Sequence, residues 1–196
     1  MTFNGALASM SVDILQFLIE IGFTILGAAF LARCWLHAIR FHPFNPFSQL
    51  IFRATEWLSK PLRGVLPSGK SIDYASLFGA YLIAVVYLFA LWIIATRALP
   101  PSELIVPGLM AALVTLGRWL LNLIIWLTLI QAVLSWINPL APMMPVLRTL
   151  TAPLLEPIRR ILPNFSGFDF SPLVLLILAQ IAMMVLSRIN FTLFGV

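Results

Sequence analysis

Four stretches of this chain, at about residues 11–37, 74–96, 113–136 and 172–193, each run for more than twenty residues with little charge. About 20 apolar residues wound as a helix cross the ~30 Å hydrocarbon layer of a bilayer. Inside that layer every backbone N–H and C=O must be paired within the chain, as an α-helix provides. The stretches therefore predict an all-α membrane protein with four transmembrane helices. Composition agrees, with 61% of residues hydrophobic and 10% charged, against about 25% charged in a soluble domain. A chain of 196 residues with four spans leaves no room for a separate soluble catalytic domain.

The pattern is stated twice. Pro61 to Asp73 reads PLRGVLPSGKSID, and Pro157 to Asp169, 96 positions further on, reads PIRRILPNFSGFD. Pro61, Arg63, Leu66, Pro67 and Asp73 recur as Pro157, Arg159, Leu162, Pro163 and Asp169. Each copy sits between two apolar stretches, which predicts two tandem repeats over 11–97 and 113–196, joined by an extracytoplasmic linker at 98–112. In each repeat a transmembrane helix leads to an interfacial amphipathic helix and then to a second transmembrane helix. The interfacial helices are expected at about 46–60 and 143–156. Two spans per repeat give both copies one orientation, related by an axis along the membrane normal.

The first interfacial helix is read from its spacing. Phe47, Leu50, Ile51, Ala54, Trp57 and Leu58 recur at helical intervals, with Ser48, Gln49, Arg53, Glu56 and Lys60 mainly opposite. It is too short and too charged to span, so it is expected to lie in the interface with Trp57 at headgroup depth. Gly22, Gly27, Ala28 and Ala32 in the first span, and Ala75, Gly79, Ala80 and Ala84 in the second, give each helix a thin side for close packing. Residues 109–137 are longer than one span needs. One long tilted helix and a short interfacial piece before a span both fit, and a span over about 113–136 is the preferred reading.

Charge sets the expected orientation. Arg40, Arg53, Lys60, Arg63 and Lys70 fall between the first two spans and Arg148, Arg159 and Arg160 between the last two, against essentially Arg97 on the other side. Basic loops stay in the cytoplasm, so both phrase-bearing loops are predicted cytoplasmic and both termini extracytoplasmic. The N-terminal apolar run carries Asp13 and Glu20 without a basic region before it, so it is read as a retained span. The net charge of +5 on so apolar a chain points to anionic headgroups rather than to nucleic acid.

Several side chains are candidates for contact. Arg63 and Arg159, with Arg160, Arg53 and Trp57, are placed to meet lipid headgroups or a protein partner. Asp73 and Asp169 stand just before spans, where a carboxylate caps a helix or pairs with the arginine of its own phrase. Glu20 and Arg118 are the charges placed nearest mid-bilayer and are expected to pair with each other, because an unpaired charge there costs at least ~2.5 kcal/mol; snorkelling of Arg118 is the alternative. Gln16, Asn122, Gln131 and Gln180 add too little for a transport pathway.

His37 and His42 flank a helix end without an acidic or cysteine cluster, so no metal or haem site is read from them. No phosphate loop, HExxH motif or activated nucleophile is present in the sequence, and Cys34 is its one cysteine. The chain is read as a non-enzyme without a cofactor. Its expected partners are the bilayer and a membrane or cytoplasmic protein, with a homo-oligomer as a further expectation.

The two phrases, with NPF at Asn45 to Phe47, TAPLLEPIRRILP from Thr151 to Pro163 and FDFSP from Phe168 to Pro172, make the chain resemble the YggT family of small bacterial membrane proteins. That family is related to the YlmG-type proteins of cyanobacteria and plastids, and the resemblance covers nearly the whole chain. Trp57 stands where the second copy has Pro153 and the family favours proline. The resemblance implies an inner-membrane protein tied to osmotic-stress tolerance and potassium uptake, to nucleoid or septum organisation, or, in plastids, to haem attachment. From these it implies a scaffold or assembly factor first, an ion-transport accessory second and a haem-attachment factor third.

Overall fold

The computed structural model describes residues 3–40, 46–66, 69, 72–162 and 169–195. His42, Asn45, Pro67, Lys70, Pro163 and Phe168 lie outside the described residues. Among the described residues six helices follow one another: α1 (Phe3–Ala38), α2 (Pro46–Arg63), α3 (Tyr74–Thr96), α4 (Ile105–Ile137), α5 (Met144–Ile161) and α6 (Ser171–Phe194), with a 3-10 turn at Ser102–Leu104. No strand occurs among the described residues. Four segments, Val12–Ala38, Tyr74–Thr96, Ser102–Ile137 and Ser171–Phe194, are long and apolar enough to cross a membrane. The fold is all-α with four such helices.

Proline explains where helix ends differ from the spacing. α2 continues through Pro61 to Arg63, and α5 through Pro153 and Pro157 to Ile161. A proline removes one backbone donor and crowds the preceding turn, a penalty these helices absorb one bond at a time. The third apolar helix starts at Ile105, inside the stretch expected as a linker. Pro107 then falls in its first turn, where a missing N–H has no helical partner to lose.

Two compact bodies make up the chain, one of Met1–Trp119 with Ser187–Val196 and one of Leu120–Leu186. In the first, α1, α2 and α3 pack on one another. The buried face of α3 is a ladder of adjacent pairs at 75/76, 79/80, 83/84 and 87/88, mostly small side chains at the four-residue spacing that lets ridges interlock. Gly79 is needed there, because a Cβ would stand 2.8 Å from the ring of Phe30. On α1, Gly27 and Ala32 are buried, whereas Gly22 faces open space.

A Cβ on Gly27 would run into the indole of Trp119, and that ring is itself buried and packs at 5.7 Å, tilted by 50°, against Tyr87. Gly27→Ala is therefore expected to destabilise by about 1–3 kcal/mol, the usual effect of overpacking a filled core. The measurement is unfolding of purified protein by SDS titration in mixed micelles. Gly22→Ala, with nothing near it, serves as the neutral control.

In the second body α5 buries Met144, Val146, Leu147, Leu150, Thr151 and Leu155. Ile124 and Leu127 of α4 and Leu175 and Ala179 of α6 complete its apolar interior.

Candidate functional site

α2 has three faces rather than two. Ser48, Ile51, Thr55 and Ser59 are buried, a stripe at intervals of three and four residues that sets hydroxyls against α1 and α3. Leu50, Ala54 and Trp57 form a second stripe and are exposed, Leu50 by 68% and Trp57 by 61%. Gln49, Arg53, Glu56 and Lys60 form a third, also exposed. At 100° per residue these stripes point in separate directions. The apolar residues of this helix thus divide: Ile51 faces the protein, and Leu50 and Trp57 face away.

One inward hydroxyl, that of Thr55, meets an arginine. Arg33, one turn before the end of α1, has a side chain only 3% exposed. Its guanidinium donates to Thr55 Oγ1 at 2.8 Å, to the Phe52 carbonyl at 3.1 Å and to Glu56 Oε2 at 3.3 Å. It also lies 5.1 Å from the Phe52 ring centroid, a cation–π distance. Its Nε is 3.6 Å from Asp73 Oδ2, an ion pair too long for a hydrogen bond, and has no other partner. A charge buried this deeply needs counter-charges and hydrogen-bond acceptors, and α2 and the N-cap of α3 contribute them.

Asp73 closes the cluster. Its Oδ1 accepts from the Ser76 N–H at 3.3 Å, which makes it the N-cap of α3. Its Oδ2 accepts from the Ser76 hydroxyl at 2.8 Å and from Arg63 at 3.0 Å. Burial pushes the Asp73 carboxyl up, but the Ser76 and Arg63 hydrogen bonds with the Arg63 charge outweigh it and hold it below the ordinary 3.8. Ser59 and Ser76 share a further hydroxyl contact at 3.3 Å, fastening α2 to α3. Arg33, His37, Phe52, Glu56, Arg63 and Asp73 line an open cavity of ≈ 290 Å³.

The second copy of the phrase repeats the outer half of this arrangement. Arg159 donates to Asp169 at 2.7–2.8 Å, and Asp169 accepts from the Ser171 N–H at 3.0 Å at the start of α6. Burial raises the Asp169 carboxyl, and the Ser171 and Arg159 hydrogen bonds again outweigh it, leaving it below 3.8. The inner half differs. Ninety-six positions on from Arg33, Ser48 and Ser59 stand Leu129, Met144 and Leu155. Thr151, the counterpart of Thr55, instead hydrogen-bonds Gln131 of α4.

Of the residues picked out by sequence, Arg63 and Asp73 are brought together, as are Arg159 and Asp169. Arg53 and Arg160 are exposed, and Trp57 sets its ring edge-on to Phe30 at 6.5 Å. Glu20 and Arg118 form no ion pair within 4.0 Å: Glu20 is exposed and the Nε of Arg118 is buried without a partner. At that level the packing is aromatic, with Phe23 on Tyr87 at 5.6 Å and Tyr87 on Trp119. His37 is exposed and reaches the Gly69 carbonyl at 3.3 Å, and no group of three or more metal-ligating side chains occurs among the described residues. Arg33 escaped the sequence reading, although the hydroxyl period of Ser48, Thr55 and Ser59 was there to be found.

Known proteins resemble this chain over most of its length. A protein of Escherichia coli K12 named YggT is 35% identical over 176 residues, covering 89% of this chain and 90% of its own length. A Vibrio alginolyticus protein, named only for its place beside proC, is 36% identical over 171 residues, covering 86% and 90%. One from Pseudomonas aeruginosa is 32% identical over 162 residues, covering 81% of each chain. The names of these three state no activity, and no solved structure matches. The CCB3/YggT family model matches twice, at residues 12–94 and 110–190. Each match takes in one arginine–aspartate elbow and the helices on either side of it, and on that double match the chain belongs to the CCB3/YggT family.

Proposed function

We propose that the protein is a non-enzymatic scaffold or assembly factor of the bacterial inner membrane, serving envelope or osmotic-stress physiology. Both elbows face the cytoplasm in this reading, the termini lie outside, and the surface helices and basic elbows offer docking surfaces, one on each body. The observation that carries it is the mounting of α2. A surface helix without a partner could be held by apolar contacts alone, yet here a buried arginine, two carboxylates and the hydroxyls of Thr55 and Ser59 fix it. Fixing it costs side-chain and backbone entropy, which is repaid when a partner needs a preorganised surface. The apolar stripe Leu50, Ala54 and Trp57 suits the acyl boundary, and Arg53 and Lys60 beside it suit phosphates or an acidic partner.

A photoreactive residue in place of Gln49 in native membranes tests this. Irradiation is expected to give at least one protein adduct identifiable by mass spectrometry. Its yield is expected to drop about tenfold in the Arg63→Gln, Arg159→Gln double variant, the effect of losing a charge-assisted contact of ~1.5 kcal/mol, while the protein still inserts. Adducts to lipid alone would overturn the scaffold reading.

A further inference from the structure

The ≈ 290 Å³ cavity lies where α1 ends, α3 begins and α2 passes beside both. With the apolar helices read as membrane spans, that is the level of the lipid headgroups. The lining holds two guanidiniums, Arg33 and Arg63, and two carboxylates, Glu56 and Asp73. A simple anion or a simple cation would meet one favourable and one unfavourable pair. A ligand bearing both signs can set each end against its opposite.

Two lining groups have capacity to spare. Glu56 takes one bond, from Arg33 at 3.3 Å through Oε2, and its side chain is 50% exposed. Arg63 is 42% exposed and meets Asp73 through one nitrogen of its fork. A third, independent feature makes Arg63 free to move. The buried Arg33 Nε–H is unpartnered and stands 3.6 Å from the same Asp73 oxygen that Arg63 holds. When Arg63 turns to a ligand, Asp73 keeps both Ser76 bonds, and a shift of under about 1 Å brings Arg33 Nε into hydrogen-bond range. One guanidinium replaces the other on the carboxylate.

We propose that this cavity binds the headgroup of a zwitterionic phospholipid carrying a primary amine, with the phosphodiester on Arg63 beside His37 and the ammonium on Glu56. The primary ammonium has three N–H donors for Glu56. A choline headgroup has none, and a glycerol headgroup brings a net negative charge with no cation for Glu56. The site belongs to the first copy alone, because Leu129 and Ala152 stand 96 positions on from Arg33 and Glu56. It rests on the membrane reading and not on a protein partner, so lipid-only crosslinks would leave it standing.

The test is native mass spectrometry of the full chain released from nanodiscs of equimolar phosphatidylethanolamine, phosphatidylcholine and phosphatidylglycerol. Phosphatidylethanolamine is expected to be retained about tenfold over each of the others, as one charge-assisted hydrogen bond dictates. Glu56→Gln, a change at a half-exposed position, should bring the ethanolamine-to-choline ratio to about one. Arg63→Gln should lower retention of ethanolamine and choline lipids alike, and Arg159→Gln should leave the ratio as in the parent. Equal retention of the three lipids, preference for the glycerol lipid, or a ratio indifferent to Glu56→Gln would each overturn the proposal. So would competition by soluble phosphoethanolamine with the acyl chains contributing nothing.

Discussion

Arg33→Ala is expected to lower the stability of the protein by about 3–5 kcal/mol, the range for removing one member of a buried ion-pair network. Four interactions end together: the bonds to Thr55, Phe52 and Glu56 and the approach to Asp73. The loss is not only Coulombic. Thr55 keeps its bond to the Ile51 carbonyl, but removing a long side chain that is itself buried leaves space beside Thr55, which adds a cavity term. Arg33→Lys separates charge from shape. An ammonium keeps the charge but lacks the planar fork that reaches three acceptors at once, so about half of the loss should remain. The SDS-unfolding midpoint reads both variants, and an Arg33→Ala protein within about 0.5 kcal/mol of the parent would contradict the clamp, because that is the scatter of neutral surface changes.

The second large effect sets the two elbows against each other. Asp73→Asn should cost about 3 kcal/mol, whereas Asp169→Asn should cost no more than about 1 kcal/mol, because a half-open pair is screened by water and salt. The side chains are 8% and 38% exposed, and only Asp73 has a second guanidinium beside it. The pH dependence follows from the depressed carboxyl of Asp73. With its folded value below its unfolded one, the folded state binds the proton less tightly than the unfolded state. Its stabilisation is present in full above the unfolded value near 3.8 and is lost as pH falls through the folded value. The gap between parent and Asp73→Asn should therefore be constant from neutral pH down to about 5 and close below about 4. Equal costs at the two elbows would show that burial does not distinguish them.

Much of this was legible from residue order because the bilayer allows so few solutions. The helix at 74–96 coincides with the apolar run, since Asp73 caps one end and Arg97 turns into the left-handed region at the other. The third long helix matches the reading as one long helix and begins ahead of the preferred span, because Pro107, inside the expected linker, costs little in a first turn. Glu20 and Arg118 stand without an ion pair between them for a different reason. Depth along a helix can be counted, but the direction of a side chain depends on what packs beside it, and Phe23, Tyr87 and Trp119 fill that level. Arg33 was the residue most worth finding. A lone arginine inside a span, followed by a helix with hydroxyls on one face and an aspartate at the next span, carries the signal in combination and not in any one member.

Arg33 also has a consequence in time. Its counter-ions are made after it: Glu56 follows by 23 positions and Asp73 by 40. At about 5–20 residues per second, the ribosome needs roughly 2–8 s more to supply Asp73. Until then the guanidinium at the headgroup end of α1 lacks its carboxylates, and water and lipid phosphates answer its charge in their place. The first helix should therefore keep its guanidinium among wet phosphates and exchange them for Asp73 only when α3 arrives. Synthesis order makes the aspartate the latch and the arginine the bolt that waits for it.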